Sequence, residues 1–348
     1  MAYTTINKST DYFNTKLYTG NGSTNAITGV GHQPDFTWLK RRDGSGNHNL
    51  YDAVRGVTKY LESSATSPEQ TQSAGLTTFG TDGFTLGSNA NMNGNSQTFV
   101  SWNWKAGGGQ GSSNTDGSIN TTYTSVNTTA GFSISKYTGT GANATVGHGL
   151  GVAPKMIIIK ELNNATNWIV YHASTGNDKG LQLNTTAATD TDSTFWNSTT
   201  PTSSVFSLGS NGNVNGSSDN YIAYCFAEKT GYSKMGSFVG NGNADAPFIY
   251  CGFKPKWFLW KSSTDTTNAN WNLVNSTAQV YNGADAGYVM ANDSTAETGF
   301  SGNQIDFVSN GMKLRQSSNY HNNNGQTYIY LAFGQSSVGT NNIPCTAR

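Results

Sequence analysis

The chain has 348 residues, a formal net charge of zero and only 11% charged residues, where an ordinary soluble domain has about 25%. This composition excludes the basic stripe of a nucleic-acid-binding protein and the cationic patch with which a protein docks on anionic lipid. Residues 1–5 lack the basic and apolar stretches of a signal peptide, and no apolar run approaches the roughly 20 residues that a membrane helix needs.

One unit of about 100 residues, a usual size for a β-sandwich, occurs three times along the chain. Each copy opens with an aromatic residue and a glycine-containing turn, at residues 18–22, 137–141 and 238–242. A proline follows at a nearly constant distance, and an apolar run ending in lysine comes after it: Pro34 and Lys40, Pro154 and Lys160, Pro255 and Lys261. Three copies of one unit indicate a building element more than a single catalytic apparatus.

Repeat 1 spans residues 1–106 and closes on a strand in which Val100, Trp102 and Trp104 share one face. The same face is apolar in the closing strands of the other copies: Ile222, Tyr224 and Phe226, then Ile329, Leu331 and Phe333. We assign this face to the core of each copy, packed on the strand that follows the proline. The predicted fold is therefore all-β, with three tandem antiparallel β-sandwiches of jelly-roll-like character.

A glycine- and serine-rich stretch, residues 107–118, separates repeat 1 from repeat 2 and is predicted to be a flexible linker. Its glycine run follows a strand, but no helix signal comes after it, so a phosphate-binding loop is not indicated. If the domains are independent and joined by such a linker, Trp102→Ala should unfold repeat 1 alone.

Repeat 2 spans residues 119–229 and carries the candidate ligand-binding residue, Trp196, in a loop at residues 190–200. An exposed loop tryptophan can stack on the apolar face of a sugar, whereas a buried one anchors the loop. Asp190 and Asp192 in the same loop resemble part of a calcium site, but the glycine and the distal glutamate of a calcium-binding loop are missing.

Repeat 3 spans residues 235–348 and includes a C-terminal tail that has no counterpart in the other copies. The three cysteines, Cys225, Cys251 and Cys345, do not recur between repeats, which predicts free thiols and synthesis in a reducing cytoplasm.

Catalytic and metal-binding patterns are missing from the sequence, so we expect neither an enzyme nor a cofactor or metal. His32 and His148 occupy matching loops before the prolines, but repeat 3 has no histidine there, and both are interpreted as polar loop residues. The basic cluster at residues 40–42 is interpreted as a solvated strand end. A pair of carboxylates that cleaves glycosidic bonds is defined by its distance in space, so glycoside hydrolysis stays an alternative.

Tyr221, Tyr328 and Tyr330 fall on the opposite face of the closing strands and are predicted to lie outside the core. Edge strands with few charges invite pairing between chains. Together these features favour a closed homo-oligomer, with a trimer as the expected state.

Several motifs resemble repeats in tail-fibre-like virion proteins of marine cyanobacterial phages. They lie at residues 12–22, 29–36, 50–56, 82–87, 99–108 and 342–348. The resemblance covers most of the chain and implies a late-expressed virion structural protein, multimeric and made in the host cytoplasm. It supplies no binding residues.

The expected function is a tail fibre or receptor-binding component that recognises bacterial surface glycan and contacts other virion proteins. A neutral surface rich in Asn, Thr and Tyr suits sugars, which combine hydroxyl groups with apolar faces. The first alternative is a capsid or tail decoration protein with purely structural contacts. The second is a polysaccharide-degrading enzyme.

Overall fold

The computed structural model describes residues 4–267, 269–278, 287–299 and 304–338. Strand accounts for 42% of the structure and helix for 5%, so the predicted all-β class is confirmed. Every pairing between the named strands below is antiparallel. Within the described residues, no helix is long and apolar enough to cross a membrane.

Repeat 1 forms a large six-stranded sheet, order β1-β9-β3-β4-β5-β6, and a small sheet, order β2-β8-β7. A 3-10 turn at Ser9–Asp11 precedes them. The elements are β1 (Phe13–Thr19), β2 (Asn25–Thr28), β3 (Phe36–Arg41), β4 (Asn49–Asp52), β5 (Lys59–Glu62), β6 (Gln70–Thr71), β7 (Leu76–Gly80), β8 (Gly83–Leu86), α1 (Ala90–Asn93) and β9 (Thr98–Trp104).

Repeat 2 has a seven-stranded sheet, order β10-β11-β18-β13-β14-β15-β16, and a two-stranded sheet, β12-β17. The added strand β10 pairs with β11 at the position where β1 is an edge strand in repeat 1. The elements are β10 (Tyr123–Asn127), β11 (Phe132–Thr138), β12 (Ala144–Gly147), β13 (Met156–Glu161), β14 (Ile169–His172), β15 (Lys179–Gln182), β16 (Asp190–Thr191), α2 (Ser193–Trp196), β17 (Val205–Leu208), α3 (Gly212–Asn215) and β18 (Asn220–Phe226).

Repeat 3 returns to a six-stranded sheet, order β19-β27-β21-β22-β23-β24, with a small sheet of order β20-β26-β25. The elements are β19 (Ser233–Val239), β20 (Phe248–Tyr250), β21 (Lys254–Ser262), β22 (Asn272–Asn275), β23 (Gly287–Met290), β24 (Thr298–Gly299), β25 (Ile305–Val308), β26 (Gly311–Leu314) and β27 (Thr327–Gln335). The tail from residue 339, with Cys345, lies outside the described residues.

The large sheets of all three repeats pack on one common hydrophobic core. Trp104 of repeat 1 contacts Trp257 of repeat 3, with ring centroids 5.4 Å apart. Phe36 of repeat 1 lies 4.5 Å from Tyr224 of repeat 2, centroid to centroid. The Val100, Ile222 and Ile329 faces are buried as predicted, but they point into this shared core. The expectation that this face forms a separate core within each repeat is therefore wrong.

Backbone hydrogen bonds close the three repeats into a ring. A loop amide just before the last strand of each large sheet donates to a carbonyl at the end of the post-proline strand in the next repeat. The three bonds are Glu69 N to Leu162 O at 3.0 Å, Thr189 N to Ser263 O at 2.9 Å and Glu297 N to Arg42 O at 2.9 Å. The ring runs from repeat 1 to 2, from 2 to 3 and from 3 back to 1.

A second ring of hydrogen bonds uses the residue that precedes β4, β14 and β22. Trp168 Nε1 donates to Glu62 O at 2.9 Å and Trp271 Nε1 to Gln182 O at 2.8 Å. His48 holds this position in repeat 1, with Nε2 3.0 Å from Met290 O. Its Nδ1 accepts from Trp38 Nε1 at 2.8 Å, which leaves Nε2 as the donor. Burial also lowers the pKa of His48 well below its usual value, so the imidazole side chain is neutral.

The opposite face of each closing strand is buried under the small sheet of its own repeat. Tyr221 belongs to an outer core in repeat 2, and Tyr328 and Tyr330 belong to one in repeat 3. These tyrosines are buried, so the prediction that they lie outside the core, available to another chain, is wrong. The same tyrosines were the contact surface proposed for the trimer, so that surface is not available to another chain.

The predicted flexible linker is tied to repeat 1 and repeat 2 along its length. The Asp35 carboxylate accepts hydrogen bonds from the amides of Gly108 and Gly109 at 2.9 and 2.7 Å. Ser112 forms a β-bridge with Thr124 of β10. The amide of Ile119, just after the linker, donates to Thr145 O of β12 at 2.9 Å. A stretch with these partners covers sheet edges of repeat 2 and does not act as a free hinge.

The recurring glycine-containing turn is explained by one buried asparagine in each repeat. Asn93 Oδ1 accepts from the amide of Asn21 at 3.0 Å, and its Nδ2 donates to the carbonyls of Ser23 and Gly87 at 2.6 and 2.7 Å. Asn215 makes the same three bonds in repeat 2, and Asn322 makes them in repeat 3. A side chain with both a donor and an acceptor is needed here.

Candidate functional site

A cavity of about 10 Å³ lies at the centre of the common core. It is lined by apolar and aromatic side chains from all three repeats, including Phe36, Trp104, Tyr224 and Trp257. This volume is at the lower limit for one water molecule, about 10–15 Å³. The cavity is therefore a packing feature, too small for a substrate.

Trp196, the candidate sugar-binding residue, is a core residue. Its side chain is 1% exposed. The indole Nε1 donates to Lys179 O at 2.9 Å, and the ring packs edge-on against Tyr171 with centroids 5.6 Å apart. The hypothesis of an exposed, sugar-stacking loop tryptophan is thus corrected: Trp196 anchors its loop, because helix α2 turns the side chain inward.

The residues considered for metal binding serve structural purposes at separate places. His32 lies 2.9 Å from Thr10 O through Nδ1, and His148 lies 3.2 Å from Thr202 O through Nε2. Asp192 caps helix α2 by accepting from Thr194 N at 2.8 Å. Within the described residues, no group of three or more His, Cys, Asp or Glu side chains could hold a metal ion.

The lysines that end the post-proline strands are buried. Lys40 Nζ donates to Gly46 O at 2.8 Å and to Ser294 O of repeat 3 at 3.0 Å. Lys261 Nζ donates to Thr186 O of repeat 2 at 3.0 Å. Burial lowers the pKa of Lys40 and Lys160 to about 8 and that of Lys261 to about 7. The interpretation of the basic cluster as a solvated strand end is wrong for Lys40, which joins repeats.

Cys225 and Cys251 are free thiols, as predicted, and both are buried. Burial raises the pKa of each thiol to about 12. A thiol that stays protonated inside a core is a poor nucleophile and a poor metal ligand.

The strongest candidate for recognition is the outer face of the small sheet in repeat 3, which we call the aromatic face. Phe248 and Tyr250 of β20 are 45% and 58% exposed. Ile249 between them is buried in the outer core of repeat 3. Strand alternation therefore places both rings on the outer side of the sheet. The register puts Gly311 and Lys313 of β26 and Asp306 and Val308 of β25 on the same side, with Asp306 itself buried.

Gly311 supports the ring of Phe248. A Cβ atom at position 311 would lie 2.2 Å from the backbone oxygen of Ile249 and 2.9 Å from Cε2 and Cζ of Phe248. The ring thus leans along the sheet over a residue without a side chain, toward the row of Tyr250, which pairs with Gly311. Glycine at this position is required by the nearby backbone and also leaves room for the Phe248 ring, which lies on the same side of the sheet as Tyr250.

Two ion pairs border the aromatic face. Lys313 Nζ contacts Asp245 Oδ1 at 2.6 Å and donates to Ala246 O. Arg315 Nε contacts Asp306 Oδ2 at 2.6 Å. The hydrogen bond from Lys313 lowers the pKa of Asp245, and the Asp245 side chain is 90% exposed. The border therefore offers hydrogen-bond donors and acceptors with no net charge.

The matching strands of the other repeats lack these rings. In the small sheet of repeat 3, Ile249 pairs across the strands with Met312. The corresponding cross-strand pairs are Ile27 with Phe84 in repeat 1 and Val146 with Phe206 in repeat 2. By this register, Phe248 and Tyr250 correspond to Ala26 and Thr28 in repeat 1 and to Thr145 and Gly147 in repeat 2. The aromatic face is thus particular to repeat 3.

Sequence reasoning missed Phe248 and Tyr250 and chose Trp196. The signal that could have found them is the difference between repeats at matched positions: 248–250 reads Phe-Ile-Tyr, where 26–28 reads Ala-Ile-Thr. An apolar residue at a position that is polar or small in the other copies of a repeat is not required by the shared fold.

A family model described as "Domain of unknown function (DUF7483)" matches residues 8–336. The chain therefore belongs to this family, and the matched region includes the named strands of all three repeats and the aromatic face. Among curated proteins, none matches the chain.

Proposed function

We propose that this member of the DUF7483 family is an adhesive component of a phage virion that binds glycan on the bacterial surface. The observation that supports it is the aromatic face, with Phe248 and Tyr250 exposed on one side of β20. Two exposed aromatic rings on one face of a strand form a small apolar patch, the kind of feature that marks ligand-binding sites.

The chemistry of the aromatic face favours a sugar over a protein partner. A sugar ring presents C–H groups that stack on aromatic rings and hydroxyl groups that bond to charged side chains at the edge. Two rings and their border make a patch much smaller than the roughly 1,000 Å² that a stable protein interface requires. The neutral border also lacks the single-sign charge that steers protein or nucleic-acid partners.

The shared core makes the aromatic face a rigid platform. The small sheet of repeat 3 packs on Phe258 and Trp260 of the large sheet, which itself faces the core common to all repeats. A preorganised surface loses little conformational freedom on binding, which favours affinity. Assignment to the virion rests on the resemblance to tail-fibre-like proteins of cyanobacterial phages.

Competition with phage adsorption tests the proposed function. Purified protein is added to host cells before the phage, and free phage is counted. The expected result is a dose-dependent loss of adsorption. Undisturbed adsorption at saturating protein, with full infectivity of particles that lack the protein, contradicts adhesion and supports structural decoration instead. Release of reducing sugar from host polysaccharide points to the enzymatic alternative.

A further inference from the structure

We infer that the aromatic face takes an uncharged chain of at least two hexopyranose units, laid along β20. The inference rests on the proposed function and names the class of glycan. It follows from the spacing of the two rings, the charge of their border and the difference between the three repeats.

The spacing of the rings sets the minimum length of the ligand. Phe248 and Tyr250 are two residues apart in a strand, so their Cα atoms are separated by roughly 6.6 Å. A pyranose ring is about as wide as one aromatic ring, so a single sugar unit cannot stack fully on both side chains. Consecutive units of a linear chain can each stack on one ring, and the first unit, once bound, holds the second at a high effective concentration.

The charge of the border determines which sugars fit. Its four charged side chains form two ion pairs, Lys313 with Asp245 and Arg315 with Asp306. An acidic sugar would meet the exposed Asp245 carboxylate, and it would have to displace that carboxylate to reach Lys313. Neutral hydroxyl groups can donate to Asp245 without breaking the pair. Uronic acids and sialic acids are therefore disfavoured relative to neutral hexoses.

The matched repeats define the variants. F248A/Y250T gives repeat 3 the residues of repeat 1 at these positions, and both side chains are exposed, so the fold should be kept. A26F/T28Y is the reverse change in repeat 1. Gly311→Ala is not used as a variant, because the added Cβ would lie 2.2 Å from the backbone oxygen of Ile249 and would disturb the pairing of β20 with β26 as well as the Phe248 ring.

Calorimetric titration of the full chain with cellohexaose, mannohexaose, cellobiose, glucose and hexagalacturonate tests the inference. At least one neutral hexamer should bind, its disaccharide more weakly and glucose hardly at all. Stacking on one aromatic ring is worth about 1–3 kcal/mol in the comparable case of nucleic-acid bases. Each single variant, F248A or Y250T, should thus weaken binding about tenfold, and F248A/Y250T should abolish it. Affinity should be unchanged between about 50 and 500 mM salt, a range over which interactions between surface charges become screened.

Three outcomes overturn the inference: neither neutral hexamer binds, hexagalacturonate binds best, or F248A/Y250T binds as the wild type does. If the protein still blocks adsorption in any of these cases, the adhesive function stands and only the glycan class is wrong. If the protein neither blocks adsorption nor binds a hexamer, both proposals fail.

Discussion

Aromatic residues serve two different purposes in this molecule, and the common core and the aromatic face show them side by side. In the core, Trp104 and Trp257 pack edge to face across two repeats. On the aromatic face, Phe248 and Tyr250 point to solvent and correspond to Ala26 and Thr28 of repeat 1. Position relative to the shared fold decides whether a ring stabilises the chain or is available to a ligand.

The largest expected effect of a substitution lies in the common core. Trp102→Ala removes a fully buried side chain and should lower the free energy of unfolding by about 3–5 kcal/mol. Because the core is shared, all three repeats should unfold together in one transition at a lower temperature. Differential scanning calorimetry checks this. A second transition that keeps the wild-type melting temperature would mean that the repeats are independent after all.

Removing the buried amide that holds the turn of one repeat should have a smaller effect. Asn93→Ala leaves the Asn21 amide and two carbonyls without partners, at a cost of about 1–3 kcal/mol. Asn91→Ala, at an exposed position of the same helix, is the matched control. Chemical denaturation of both variants measures the difference. Equal midpoints would contradict the role assigned to Asn93.

The buried lysines should make stability depend on pH. The pKa of Lys261 falls from 10.5 to about 7 on folding, so between pH 7 and 9 the unfolded chain binds a proton that the folded chain has released. Stability therefore rises with pH in this window, by at most about 1.4 kcal/mol per pH unit for one group. Above about pH 9 the buried thiols oppose this trend, because they ionise more readily in the unfolded chain.

Lys261→Met tests this assignment against Lys8→Met, which changes an exposed lysine. The slope of unfolding free energy between pH 7 and 8 should be smaller in Lys261→Met and unchanged in Lys8→Met. A slope that is the same in all three proteins would show that Lys261 does not lose its proton on folding.

The smallest expected effect on stability belongs to the aromatic face. F248A/Y250T should change the free energy of unfolding by no more than about 0.5 kcal/mol, the usual range for surface substitutions. Thermal melting measures it. A loss comparable to that of Trp102→Ala would mean that the two rings are part of the core and would remove the contrast between the two regions.

The sequence allowed the strands to be located but left their partners open. Period-two alternation identified Val100, Trp102 and Trp104 as one buried face, and the recurring glycine-containing motifs located turns. Alternation says that a face is buried, though, not which element covers it. In repeats 2 and 3 both faces of the closing strand are apolar. The sequence therefore could not show that one face packs on the small sheet of its own repeat and the other on the large sheets of the two further repeats.

The candidate site was harder to predict than the fold. Trp196 looked like an irregular loop residue because helix α2 has only four residues, too short for a periodic signal. Phe248 and Tyr250 lie in a three-residue strand whose apolar run resembles a buried one. Only its position at the edge of a small outer sheet shows that two of the three side chains point outward.

Binding of labelled protein to host cells, wild type against F248A/Y250T, tests the central claim most directly. The two proteins should have the same melting temperature, and the account predicts that the wild type binds cells saturably while F248A/Y250T does not. Equal binding by two equally stable proteins would contradict it, because the aromatic face of repeat 3 would then have no part in adhesion.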